Sequence, residues 1–285
     1  MLRDIQYCGE EHVQNVTRRL FLGLAPERAE DLEQLWTKYE PQFRLFGDNG
    51  GPMLAAGAYK YVHFNHRVLR VIWVSAFAAW EAYCCAHSAI ADDAPTSHDR
   101  LQDLLDLALE IRDAESPLTV PLRGLPEPGS FPEEAELRVP AELATFATGW
   151  AMLHEVRHLM HQQEGTSYGL DATPTAAHEE ELSCDRYGAE FLMAKVSEYA
   201  RVNSVSIETV RCKRALGVYF GVVSLILLSH PHWKASDTHP AVSARLRAIV
   251  PVVSQGFDAA AGITALALVG LKRVWPAAPD FTPNS

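Results

Sequence analysis

The chain lacks any surplus of positive charge. Its 285 residues hold 36 acidic against 25 basic side chains, a net charge of −11 at pH 7, and no Lys/Arg-rich run. Nucleic acids and anionic membranes reward a basic face, so neither is expected as a partner. The opening residues "MLRDIQYCGEEHVQ" carry no apolar stretch after the first basic residue, so no secretory signal is expected. Spaced cysteine pairs are absent too. The five cysteines are Cys8, Cys84, Cys85, Cys184 and Cys212. An odd number with no CxxC spacing reads as reduced, mostly buried thiols of a cytoplasmic protein. Long uninterrupted apolar runs are scarce. Residues 71–90 are broken by Glu81 and His87, and residues 215–229 fall short of the roughly 20 residues a membrane span needs. Both read as core helices. No internal repeat or low-complexity tract is present.

What is there is mostly helical pattern. Residues 1–40 read as helical, clearest in "APERAEDLEQLWTKYE", where Pro26 suits a first turn and early acids suit the helix dipole. "FGDNGGPM" at 46–53 is turn chemistry. Residues 57–66 alternate enough for a strand. Residues 68–90 predict a buried helix, with Trp73, Phe77, Trp80 and Cys84 as a core stripe. Glu81 inside that helix calls for a partner, Arg67 or Arg70, or for a cleft to face. "TSHDRLQDLLDLALEIRDA" reads as an amphipathic helix opened by a Ser or Thr cap. Residues 116–140 hold six prolines, which block helix and remove donors, and so read as a linker or lid. Further helices are expected at 141–163, about 176–199, about 205–229 and about 241–250. The organisation expected is a mainly helical region at 1–115, the Pro-rich segment 116–140, a chemistry-bearing region at 141–275 and a frayed tail at 276–285. The fold class expected is mainly α with a small β component, α+β.

The stretch "WAMLHEVRHLMHQ" at 150–162 carries the chemistry. Residues four apart share a helix face, so His154 and His158 can point at one ion. "HEVRH" matches HExxH, in which two imidazoles bind zinc and the glutamate serves as general base. Glu155 lies about 100° round the helix from His154, where it reaches a water on the metal without ligating it. The pattern alone recurs by chance; its bland reading is a solvated face. Zinc also needs a third protein ligand and an open fourth position. In "HEEELSCDRYGAEFLM", Glu181 and Asp185 are four apart on one face, with Gly188 continuing it. Glu181 would be the third ligand. Asp185 would fix a ligand histidine's tautomer through its free ring nitrogen. Gly188 would let the second ligand-bearing helix approach closely. The bland alternative is an acidic helix start, with Glu179, Glu180 and Glu181 facing the dipole. His178 could ligate in place of Glu181, and His161 could act as a surrogate, although an ordinary polar helix position suits His161 better. His230 and His232 flank a proline and read as a turn. In "DTHPAVSARLRAI", His239–Pro240 can open a helix that carries Arg245.

Taken in order, "HEVRH … ELSCDRYGA … THPAVSARL" resembles a gluzincin metallopeptidase, with a motif set similar to the HtpX and CaaX-prenyl-protease type. Cys184 replaces the alanine of that family's ExxAD, and the transmembrane helices of that group are missing. His158 and Glu181 stand 23 apart, closer to compact soluble gluzincins. The overall layout is similar to the Lit-type phage-exclusion peptidases. The resemblance implies a zincin-like helical core and Zn2+ held by His154, His158 and Glu181. It implies Glu155 as general base and a second electrophile at the oxyanion, from His239 and Arg245 or, less favoured, Tyr187. It also implies a soluble endopeptidase acting on a protein or peptide substrate, in phage exclusion or a toxin-like system, held inactive until an activating peptide or lid releases it. The rival reading is a non-catalytic, zinc-stabilised sensor or adaptor, against which a retained Glu155 speaks.

Overall fold

The computed structural model describes residues 15, 17–39, 54–57, 61–64, 66–91, 98–169, 173–254 and 259–280. The turn expected at 46–53 lies outside them. Helix α1 (Ala29–Tyr39) follows a short 3-10 turn at Pro26–Arg28. A hairpin of β1 (Leu54–Gly57) and β2 (Tyr61–Phe64) pairs antiparallel, Leu54 opposite Phe64. Then come α2 (His66–Ala91), α3 (Asp99–Asp113), α4 (Ala135–Glu164), α5 (Pro174–Met193), α6 (Val196–Val202), α7 (Ile207–Leu228), α8 (Val242–Val253) and α9 (Ala259–Val274).

The α+β expectation is corrected: the fold is all-α. The strand expected at 57–66 is divided, Gly57 ending β1, Tyr61–Phe64 forming β2 and His66 opening α2, and the two-stranded hairpin is the only sheet among the described residues. The reason is packing. Among the described residues the apolar faces pack chiefly helix on helix, and β1 lies along α4.

Helix α2 is apolar nearly all round because it is central. It packs on α3, α4, α7 and α9, which bury Val71, Ile72, Trp73 and Val74 to within 2 % exposure. It is the one described helix long and apolar enough to cross a membrane, and most of its apolar window is buried inside the fold. Glu81 pairs with Arg100, Nε to Oε2 3.4 Å, not with Arg67 or Arg70. Arg70 binds the Pro-rich segment instead, and Arg67 the end of α3 just before it. Arg67 donates to the Ala114 carbonyl, Arg70 to those of Pro117 and Val120, and Trp73 to that of Pro126. Carbonyls freed by proline from helix or sheet thus find buried donors on α2.

Three boundaries move. Helix α4 starts at Ala135 and runs through Pro140, which gives up one backbone hydrogen bond in a helix of 30 residues. Helix α3 is entered at His98, whose side chain makes no cap bond. Sequence patterning gave no helix at 259–274, yet α9 packs along α2 there. Its close contact is Gly270, where an added Cβ would fall 2.1 Å from the Ala82 carbonyl oxygen. The tail turns back after α9: Ala278 donates to the Trp275 carbonyl and is buried.

Candidate active site

Helices α4 and α5 cross where Trp150 meets Gly188. A Cβ on Gly188 would lie 2.9 Å from Trp150 Cδ1, and the Trp150 indole donates to the Asp185 carbonyl at 3.1 Å. That crossing faces the second half of α4 toward the first half of α5. Thr173 caps α5 by accepting from Ala176, with Pro174 at the first helical position.

The two histidine rings stand one turn apart with Nε2 atoms 3.1 Å from each other. The Glu181 carboxylate reaches both, Oε1 3.2 Å from His158 Nε2 and Oε2 3.5 Å from His154 Nε2. Glu155 stands just outside, its Oε1 3.9 Å from His154 Nε2. Each ring is gripped from behind. Asp185 Oδ1 lies 3.0 Å from His154 Nδ1, and Glu180 Oε1 lies 2.7 Å from His158 Nδ1. Glu180 in turn accepts from the Tyr168 backbone N–H at 2.7 Å and the Ser167 hydroxyl at 3.3 Å, tying the turn after α4 to the site. Arg245 lays its guanidinium on Asp185, Nη2 to Oδ1 2.6 Å and Nε to Oδ2 2.8 Å, with Nη1 3.5 Å from Glu181.

His154, Glu155, Glu181, Asp185 and Arg245 are all buried. Burial disfavours charge on His154 and His158. For His154 the carboxylates of Asp185 and Glu181 outweigh it; for His158, contacts with Cys184, Glu180 and Glu181 do; both pKa values rise. Burial would likewise raise Glu181 and Asp185, but the imidazoles and Arg245 hold both carboxylates down. Glu155 goes the other way: burial dominates and raises it. Burial pushes the Cys184 thiol up to about 11.

Two metal-holding sets are therefore on hand. His154, His158 and Cys184 form a group whose ligand atoms lie within 4.8 Å of one another. The two Nε2 atoms and the Glu181 carboxylate are tighter, at 3.1–3.5 Å. A tetrahedral ion with bonds of about 2.0–2.1 Å separates its ligands by about 3.3–3.4 Å. Four carboxylates, Glu155, Glu180, Glu181 and Asp185, face one permanent cation, Arg245. This surplus of negative charge suits a divalent cation.

His239 sits in the loop before α8 with Nε2 3.7 Å from Glu181 Oε1 and its side chain 61 % exposed. Thr238 Oγ1 holds its Nδ1 at 2.8 Å. Tyr187 does not join the group; it packs with Phe191 and Arg157. His161 places Nδ1 on the Thr166 hydroxyl and Nε2 on that of Ser183. His178 reaches the Ser236 carbonyl at 2.7 Å. The His154–His158–Glu181 group, with Glu155 and His239, lines a cavity of about 1730 Å³. Sequence reasoning missed Glu180 and Tyr168. Nothing in the run "EEE" separates Glu180 from its neighbours; only the helix crossing selects it.

Neither curated proteins nor solved structures give a match. The Peptidase U49 family does match, over residues 62–264, from β2 into α9 and across every residue of the site. More than half of the sequence lies in that match, and the chain belongs to the Peptidase U49 family.

Proposed function

We propose that the chain is a zinc-dependent endopeptidase of gluzincin type, hydrolysing a peptide bond in a protein substrate. One observation carries this reading. In a chain of a peptidase family, His154, His158 and Glu181 converge to 3.1–3.5 Å at a cavity wall, with Glu155 just outside them. Zinc, when bound, supplies Lewis-acid polarisation of the scissile carbonyl and acidifies water. Glu155 takes the water's proton at its carboxylate and returns it to the leaving amine; its burial makes it the more basic carboxylate. His239 donates from Nε2 to the developing oxyanion, its ring set by Thr238. Arg245, expected at the oxyanion, is assigned a positioning role, because Nε and Nη2 both engage Asp185 and Nη1 stands 3.5 Å from Glu181. An extended substrate would add a strand at the hairpin edge or at the Pro-rich segment. The setting in this proposal is cytoplasmic, in phage exclusion or a toxin-like system, with an activating peptide as partner; it rests on the Lit-type resemblance.

Cys184 favours a second reading, a zinc-stabilised sensor or adaptor. Beside the two histidines it would close the site that catalysis must leave open. Metal content by mass spectrometry, with a peptide-cleavage assay, separates the two readings. The peptidase reading expects about one zinc per chain, lost in Glu181→Ala and kept in Glu155→Gln and Cys184→Ala. Glu155→Gln should lower turnover by at least about 10²-fold. Zinc lost in Cys184→Ala, or cleavage unchanged in Glu155→Gln, would turn the assignment to the adaptor.

A further inference from the structure

The cavity extends well past the catalytic group. Its volume of about 1730 Å³ exceeds the roughly 300–1,000 Å³ that usually holds a small ligand, so it has room for side chains flanking the scissile bond. Its far wall is aromatic. His230, Trp233 and Trp275 form one cluster, with ring centroids 4.4 Å apart for His230–Trp275, 5.5 Å for His230–Trp233 and 6.1 Å for Trp233–Trp275. Leu225 and Leu228, at the end of α7, continue that wall. Both tryptophans are half-buried, packed on the core yet still facing the cavity. The Trp233 indole N–H is already used on the Ile226 carbonyl at 2.8 Å, so the ring offers an apolar face to an occupant.

We propose that this aromatic wall is a specificity pocket that takes a bulky apolar side chain, aromatic or branched aliphatic, of the substrate. The proposal rests on the peptidase reading for the word substrate, not for the pocket. Charge argues for an apolar occupant. Lys234 and Arg247 line the same cavity, and Arg112 braces the cluster from behind through the His230 carbonyl. The acids at this end are paired, Asp280 with Lys272 and Asp113 with Arg112. Lys234, next to Trp233, thus disfavours a cationic side chain at this wall despite the aromatic faces. An anionic one meets the carboxylates of the catalytic end and must shed water against indole rings. Burial of apolar surface against Trp233 and Trp275 remains as the favourable term.

Ligand-observed NMR titration with the N-acetyl amides of Phe, Leu, Ala, Lys and Glu tests the pocket without needing turnover. Wild type should bind the Phe and Leu amides at least tenfold more tightly than the Lys and Glu amides. Trp275→Ala and Trp233→Ala should each lose at least fivefold of the Phe affinity, and Trp275→Phe should recover most of it. Equal affinities across the series, a preference for Lys, or Phe binding intact in both alanine variants would overturn the proposal. Should the alanine variants fail to fold, the wild-type order and Leu228→Phe, which narrows the wall, decide it: no loss of Phe binding in Leu228→Phe overturns it. Cleavage-site profiling of a proteome-derived peptide library separates the two readings. Cleavage with no bulky apolar preference removes the pocket and keeps the peptidase. Selective binding of the Phe amide without any cleavage removes the peptidase and keeps the pocket.

Discussion

Asp185 grips His154 by the ring nitrogen that faces away from the other histidine, Oδ1 to Nδ1 3.0 Å. In the neutral ring that a metal ligand must be, this contact would place the hydrogen on Nδ1 and leave Nε2 turned toward His158 and Glu181. Arg245 then fixes Asp185 with two contacts, so the ring is held through a buried carboxylate and guanidinium.

Asp185→Asn preserves the side chain's size but removes the charge that Arg245 and His154 both use. Zinc affinity should fall about 10–100-fold, the usual effect of losing such a supporting partner. Competition with a chromophoric chelator measures it. An affinity equal to wild type would show that the His154 ring is held by packing alone.

Gly188→Ala tests the crossing of α4 and α5. Alanine gains about 1 kcal/mol of helix propensity over glycine. The added Cβ would, however, sit 3.0 Å from the Trp150 carbonyl oxygen, a backbone atom that no rotamer change can move. Overpacking of this kind costs about 1–3 kcal/mol, so the balance should be a net loss. Gly262→Ala is the control: it lies in α9 with nothing within 4 Å of the new Cβ. Urea melts should show a destabilised G188A and a G262A at least as stable as wild type.

Glu27 and Arg214 form a buried ion pair 187 residues apart in sequence, with 3 % and 2 % of each side chain exposed. It fastens the turn before α1 onto α7, and Arg214 also donates to the Leu192 carbonyl at 2.9 Å. Removing one partner strands a buried charge and should cost about 3–5 kcal/mol. Glu27→Leu with Arg214→Met should recover most of that loss. A thermal double-mutant cycle showing additive losses would mean the pair does not couple.

The site was more legible in the sequence than the fold around it. His154, His158, Glu181 and Asp185 sit at helical spacings of four, so pattern alone could put each pair on one face. Glu180 was illegible because its partner, His158, lies across a helix crossing that no local spacing encodes. The α9 helix escaped notice because its small residues carry little amphipathic signal; only the groove along α2, opened at Gly270, explains them. Alternation at 57–66 read as one strand, but the span crosses from Gly57 of β1 to Tyr61–Phe64 of β2, and a two-stranded hairpin becomes a fold layer only when apolar faces pack on it, a place taken here by helices.

His66 sets an expectation for acid sensitivity. At the start of α2, burial first and the nearby Arg70 cation second lower its pKa from 6.5 to about 4. The folded protein thus keeps this ring neutral down to about pH 4, whereas the unfolded chain binds the proton from about pH 6.5. Between those values the unfolded state holds more protons, so stability rises with pH. The contribution is complete above about pH 6.5 and is lost as pH falls through the window, by about 3 kcal/mol at 1.36 kcal/mol per unit. His66→Gln has no proton to bind there. The stability of wild type relative to H66Q, from urea melts, should therefore decline by that amount between pH 7 and pH 4. A difference that stays flat across that range would mean the ring is protonated in the folded state as readily as in the unfolded one.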